Sequence, residues 1–82
     1  MIILDSARKH GISDDDMLDV VEDPIAYYRL RTEPLKLLLL GFDSNARPIE
    51  IITDTDDDEQ ILLIHANKIT KENMKLLEEA LQ

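Results

Sequence analysis

Apolar residues recur at helical spacing in Asp14-Asp15-Asp16-Met17-Leu18-Asp19-Val20-Val21-Glu22, where Met17, Val20 and Val21 make one stripe. Ser13 stands where it can cap the first turn, Asp16 follows at the third position, and Ile12 can staple onto Met17. Pro24 ends this helix, because proline drives the residue before it, Asp23, towards an extended backbone. The closing segment repeats the arrangement. Thr70 caps, Asn73 takes the third position, Ile69 can staple onto Met74, and Met74, Leu77 and Leu81 form the stripe. Ahead of both, Ile2 to His10 reads as a short helix with Ile3, Leu4 and Ala7 on one side, ended by a left-handed Gly11. A short strand over Met1 to Leu4 competes with its first turn.

Between these helices the pattern changes to that of strands. Ile25 to Arg31 alternates, with Ile25, Tyr27 and Arg29 on one face and Ala26, Tyr28 and Leu30 on the other; Arg29 and Arg31 share a face by the period of two. Leu35 to Phe42 is nearly continuous in apolar residues, as a central strand covered on both faces requires. Asp43-Ser44-Asn45-Ala46 supplies a turn in which Asn tolerates left-handed geometry. Pro48 fits a strand start, Ile49 to Thr53 continues that strand, Thr55 to Gln60 is an acidic turn, and Ile61 to Ala66 is the last strand. Short turns imply antiparallel pairing, since parallel neighbours need long crossovers. The expectation is an α+β fold over residues 1–82 as one domain: two N-terminal helices, a four-stranded antiparallel sheet and a C-terminal helix. Leu37, Leu39, Ile49, Ile51, Leu63, Met74 and Leu77 should form its core, with helices on one sheet face and the other partly open for function.

Charge narrows the functional classes. Eighteen acidic and nine basic residues give a formal net charge of −9, which disfavours indiscriminate attraction to nucleic acid. Eleven of the acidic residues lie in two blocks, Asp14 to Asp23 and Asp54 to Glu59, while Arg29, Arg31, Lys36 and Arg47 lie between them. A local basic surface is therefore compatible with the global charge. Cysteine is absent, which removes disulfides and thiolate metal sites. The longest apolar run, Leu37 to Leu40, is far too short for a transmembrane helix. Together these features point to a cytoplasmic protein without a membrane partner.

Candidate chemistry is sparse. The run Asp54 to Glu59 resembles a calcium loop only in composition: counted from Asp54, the sixth position holds Glu59 instead of Gly and the twelfth His65 instead of Glu. No metal or other cofactor is expected. His65, near the end of an apolar strand, can serve as a general acid or base or simply rest at the sheet rim. His10, beside Gly11, reads as part of the helix exit. Arg29, Arg31, Lys36 and Arg47 can face phosphate or act as ordinary surface charge, and Tyr27 and Tyr28 can stack on a base.

Two segments carry a resemblance. Arg8-Lys9-His10-Gly11-Ile12-Ser13, followed by an acidic helix and Glu22-Asp23-Pro24, resembles the opening of BrnT-type toxins, with their KHG[VI]S-like element, short helix and DP pair, or that of a related small domain family with the same HGIS-like start. Ile64-His65-Ala66-Asn67-Lys68-Ile69-Thr70 resembles the closing ISARKAT-like strand end of that family. The order and spacing of the two agree with the family over most of the chain.

The resemblance implies a RelE/ParE-like fold, a bacterial type II toxin–antitoxin pair, cofactor-free RNA cleavage and an antitoxin protein as partner. Lys9 and Lys68 match basic positions of the pattern. Asn67 replaces an arginine, His65 a small residue, and Thr53-Asp54 stands where another arginine is common. These departures imply weakened or lost ribonuclease activity and weak RNA binding. On this reading the catalytic residues are His65 or Glu50, which moves protons, and Arg47, which holds phosphate with Arg29 and Lys68; Arg29, Lys68 and Lys9 contact RNA. The competing expectations are a non-catalytic protein-binding or regulatory module of the same fold, and a structural domain that forms a homodimer through an uncovered sheet.

Overall fold

The computed structural model describes residues 1–82 as an α+β fold with three helices and a five-stranded mixed sheet. In chain order the elements are β1 (Ile2–Ile3), α1 (Asp5–Arg8), α2 (Asp14–Glu22), β2 (Ala26–Arg31), β3 (Lys36–Phe42), β4 (Pro48–Thr55), β5 (Ile61–Lys68) and α3 (Lys71–Ala80). The sheet order is β1-β5-β4-β3-β2. The four antiparallel strands appear as expected. The fifth strand corrects the four-stranded count and decides Met1 to Leu4 in favour of the competing strand reading: Ile2 and Ile3 pair in parallel with Leu62 and Leu63 of β5. Helix therefore occupies only Asp5 to Arg8 of the expected Ile2 to His10. So short a strand has no periodicity of its own and takes its identity from the edge that receives it.

Local signals place the helices. Ser13 Oγ accepts from the Asp16 N–H, Thr70 Oγ1 accepts from the Asn73 N–H, and Gly11 takes φ +80°. Neither helix completes a reciprocal capping box. The Asp16 carboxylate instead accepts from the Ser44 N–H of the β3–β4 turn at 3.0 Å. The Thr70 N–H donates to a sheet residue, Glu50.

Helices cover both sheet faces, which corrects the expectation of one open face. Ala7, Met17 and Val20 pack with Leu39, Ile49, Ile51, Leu63 and Ala66 on one side. On the other, Leu77 packs with Leu38 and Leu40, and Ala26, Tyr28, Ile52 and Met74 lie against them. Leu37 and Met74 of the expected core are only half-buried, and Leu81 is 55% exposed. Residues that pair across strands share a face, so two bulges decide which side chains meet. The irregularity between Arg29 and Arg31 puts Arg29 opposite Leu37 but Arg31 opposite Lys36. The two arginines thus fall on opposite faces, against the simple alternation. On β5, Ile52 pairs with His65 and Thr53 with Leu63, leaving Ile64 as the extra residue. That bulge sends Leu63 into the α2-side core and turns His65 to the α3 side.

The hairpins β3–β4 and β4–β5 use the same loop. Asp43 Oδ1 accepts from the Asn45 and Arg47 N–H groups, and Asp56 Oδ1 accepts from those of Asp58 and Gln60. The left-handed position falls on Ala46 and Glu59, each at φ 61°, and not on Asn45. No helix is long and apolar enough to cross a membrane.

Gly41 fixes the distance between α2 and the sheet. A Cβ there would stand 3.0 Å and 3.1 Å from the two Val20 methyl groups. Gly41→Ala should therefore destabilise the fold by about 1–3 kcal/mol through overpacking. Adding Val20→Ala should recover part of that loss in a denaturant double-mutant cycle, whereas strictly additive losses would contradict the contact.

Candidate functional site

At the Pro48 end of the sheet, β4 and β5 lie side by side, with Ile49 opposite Lys68 and Glu50 opposite Asn67. The turn after α1 and the β3–β4 hairpin close over this end. Between them lies a cavity of about 280 Å³ whose walls include His10, Asp43, Arg47, Asn67 and Lys68. His65 is not in its wall but stands beside it. The rings of His10 and His65 meet edge to face with centroids 6.1 Å apart, and the His65 side chain is 30% exposed.

Glu50 is the centre of the polar structure here. It is almost fully buried. Its Oε1 accepts from the Thr70 N–H at 2.7 Å and from Asn73 Nδ2 at 3.0 Å, and its Oε2 lies 3.0 Å from His65 Nε2. The carboxylate thus sits at the N-terminal end of α3, where the helix dipole favours negative charge. Desolvation by burial pushes its pKa up, but the bonds from Thr70, Asn73 and His65 together outweigh it and hold the group below the ordinary carboxylate range.

Arg47 and Lys68 are the exposed cations of the cavity wall, and Arg47 is held by a carboxylate. Its Nε donates to Asp43 Oδ2 at 2.9 Å, while its terminal N–H groups make no hydrogen bond within the chain. The Arg47 backbone N–H, donating to the same carboxylate, is the main cause of a lowered Asp43 pKa. Desolvation opposes it, and the Asn45 N–H and the Arg47 side chain reinforce it. For both acids the folded value lies below the unfolded one, so each stabilises the fold above its unfolded pKa and loses that contribution as pH falls through the folded value. Melting temperature followed against pH should stay level from neutrality down to about pH 5 and drop below about pH 4. A fall that begins near pH 6 would contradict these assignments.

Of the residues expected to act, the structure brings His65, Glu50, Arg47 and Lys68 to one end of the sheet. Lys9 is exposed at the end of α1, next to His10 but outside the cavity wall. Arg29 is elsewhere: it pairs with Leu37 on edge strand β2, three strands across from β5 and towards the opposite end. It cannot share a phosphate with Lys68. The residue that sequence reasoning passed over is His10, whose ring reaches His65 only because α1 packs along β5, with Ser6 Oγ donating to the Ile64 carbonyl at 2.8 Å. The one signal for it was its place in the Lys9-His10-Gly11 element. Comparison with family models, with curated proteins and with solved structures returns no match.

Proposed function

We propose that this chain is a toxin-like domain of a bacterial type II toxin–antitoxin pair, with a RelE/BrnT-like arrangement, that cleaves RNA slowly without a metal. The observation that carries this reading is the pair of imidazoles, one in the wall of a cavity shared with Arg47 and Lys68 and the other held by Glu50. Cleavage by internal transesterification needs these parts. One imidazole takes the 2′-hydroxyl proton as O2′ bonds to phosphorus, and the other gives a proton to the departing O5′, leaving a 2′,3′-cyclic phosphate. Arg47 and Lys68 balance the charge that builds on the phosphoryl oxygens. The partner on this reading is an antitoxin protein that covers the site.

The second reading is a non-catalytic binding or regulatory module. It is favoured by the Asp43 carboxylate beside Arg47 and by the net charge of −9, both of which weaken a phosphate site. Incubating the purified chain with a short single-stranded RNA in EDTA at low salt separates the two. The first reading expects slow accumulation of 2′,3′-cyclic phosphate ends and none from a substrate that is 2′-deoxy throughout. RNA left intact over prolonged incubation favours the second.

A further inference from the structure

We propose that Glu50 is a positioning residue that holds neutral His65 in its Nε2–H tautomer, so that the basic nitrogen His65 offers to any substrate is Nδ1. An ionised carboxylate can only accept hydrogen bonds. With Oε1 occupied by the Thr70 N–H and Asn73 Nδ2, the remaining oxygen, Oε2, lies 3.0 Å from His65 Nε2. That nitrogen must carry the proton. A hydrogen bond to a buried charge favours this tautomer over the other by roughly tenfold or more.

The orientation of Glu50 is itself fixed, because two donors from the start of α3 define which oxygen faces the helix and which faces the histidine. Helix α3 therefore orients the imidazole through Glu50, although it contributes no group to the cavity wall. Glu50 does not itself carry protons on this proposal: both its oxygens are engaged and it is buried away from the cavity. A catalytic role for Nδ1 rests on the ribonuclease reading; the tautomer does not.

Glu50→Gln gives the decisive contrast. The Gln oxygen can still accept from Thr70 and Asn73, which leaves its NH2 group aimed at His65 Nε2. That nitrogen must then accept, and the proton moves to Nδ1. Two-bond ¹H–¹⁵N spectra of the imidazoles at alkaline pH, where histidine is neutral, read the protonated nitrogen directly, with His65→Gln supplying the assignment. The expected result is Nε2–H for His65 in the native chain and Nδ1–H in Glu50→Gln, with the His10 pattern unchanged.

Native His65 in the Nδ1–H form, or a folded Glu50→Gln variant that keeps Nε2–H, would overturn the proposal. Should Glu50→Gln fail to fold, the native spectrum alone decides. Cleavage assays on the same samples are a separate readout. Loss of kcat with little change in KM would tie the tautomer to chemistry, whereas RNA left intact by both proteins counts against the ribonuclease reading only.

Discussion

Ile51→Ala should lower the melting temperature by on the order of 10–30 °C. Ile51 is fully buried, sits in the cluster beneath α2 and pairs with Leu39 and Ala66 on its two sides. Truncating such a side chain typically costs about 2–5 kcal/mol, because lost transfer energy is joined by a cavity that rigid neighbours cannot fill. A domain of this size shifts by about 4–8 °C per kcal/mol. Strands press on Ile51 from both sides and Met17 belongs to the same cluster, so little collapse is available. Leu30→Ala is the natural comparison. Leu30 is half-exposed on edge strand β2, and its loss should cost no more than about 0.5 kcal/mol. Circular dichroism melts of the two variants measure both effects, and near-equal losses would contradict the placement of the core.

Ile51 also shows what the pattern of residues could convey. Alternation along Ile49-Glu50-Ile51 places its two isoleucines inward whatever the details of pairing, and Ser13, Thr70 and Gly11 mark helix ends through chemistry local to a few residues. The features that escaped depend on contacts between distant segments. Strand and helix competed over Met1 to Leu4 because Ile2 and Ile3 become a strand only by meeting Leu62 and Leu63. The bulge at Ile64 inserts one residue into an otherwise uniform apolar run, so nothing in Ile61-Leu62-Leu63-Ile64-His65 reveals that Leu63 and His65 part company. The same holds for Leu30, which separates Arg29 from Arg31.

Glu50 was legible as a candidate but not in its role. A glutamate between two inward isoleucines would by alternation face outward to solvent, yet α3 crosses that face and buries it. Its partners Thr70 and Asn73 lie in another element, so its work as an anchor emerges only once both faces of the sheet are covered. His10 and His65 come together for a similar reason: α1 runs along β5, and the sequence separation between them carries no hint of it.

If the chain cleaves RNA as proposed, removing either imidazole should reduce that cleavage by about 100-fold or more while leaving the fold intact, since proton transfer by a positioned group contributes at least that much. The substitutions are His65→Ala and His10→Ala. Neither ring belongs to a buried apolar cluster. Although His65→Ala leaves Glu50 Oε2 without its partner, at a cost of about 1–3 kcal/mol, Thr70 and Asn73 still hold that carboxylate. If the two act as base and acid in one step, the double variant should be little worse than either single one. Arg47→Ala should also slow cleavage, and it should flatten the dependence of RNA binding on salt by removing one of the few phosphate contacts the site can make. The starting rate is expected to be low. The net charge of −9 repels the strand, and Asn67 stands where the resembled pattern has an arginine. Added salt should weaken binding further, as exposed charges are screened beyond a Debye length. Brisk degradation that survives both His65→Ala and Arg47→Ala would move the chemistry to residues that serve here only as scaffold. Loss of cleavage with Arg29→Ala, at the far edge of the sheet, would move the RNA path away from the cavity.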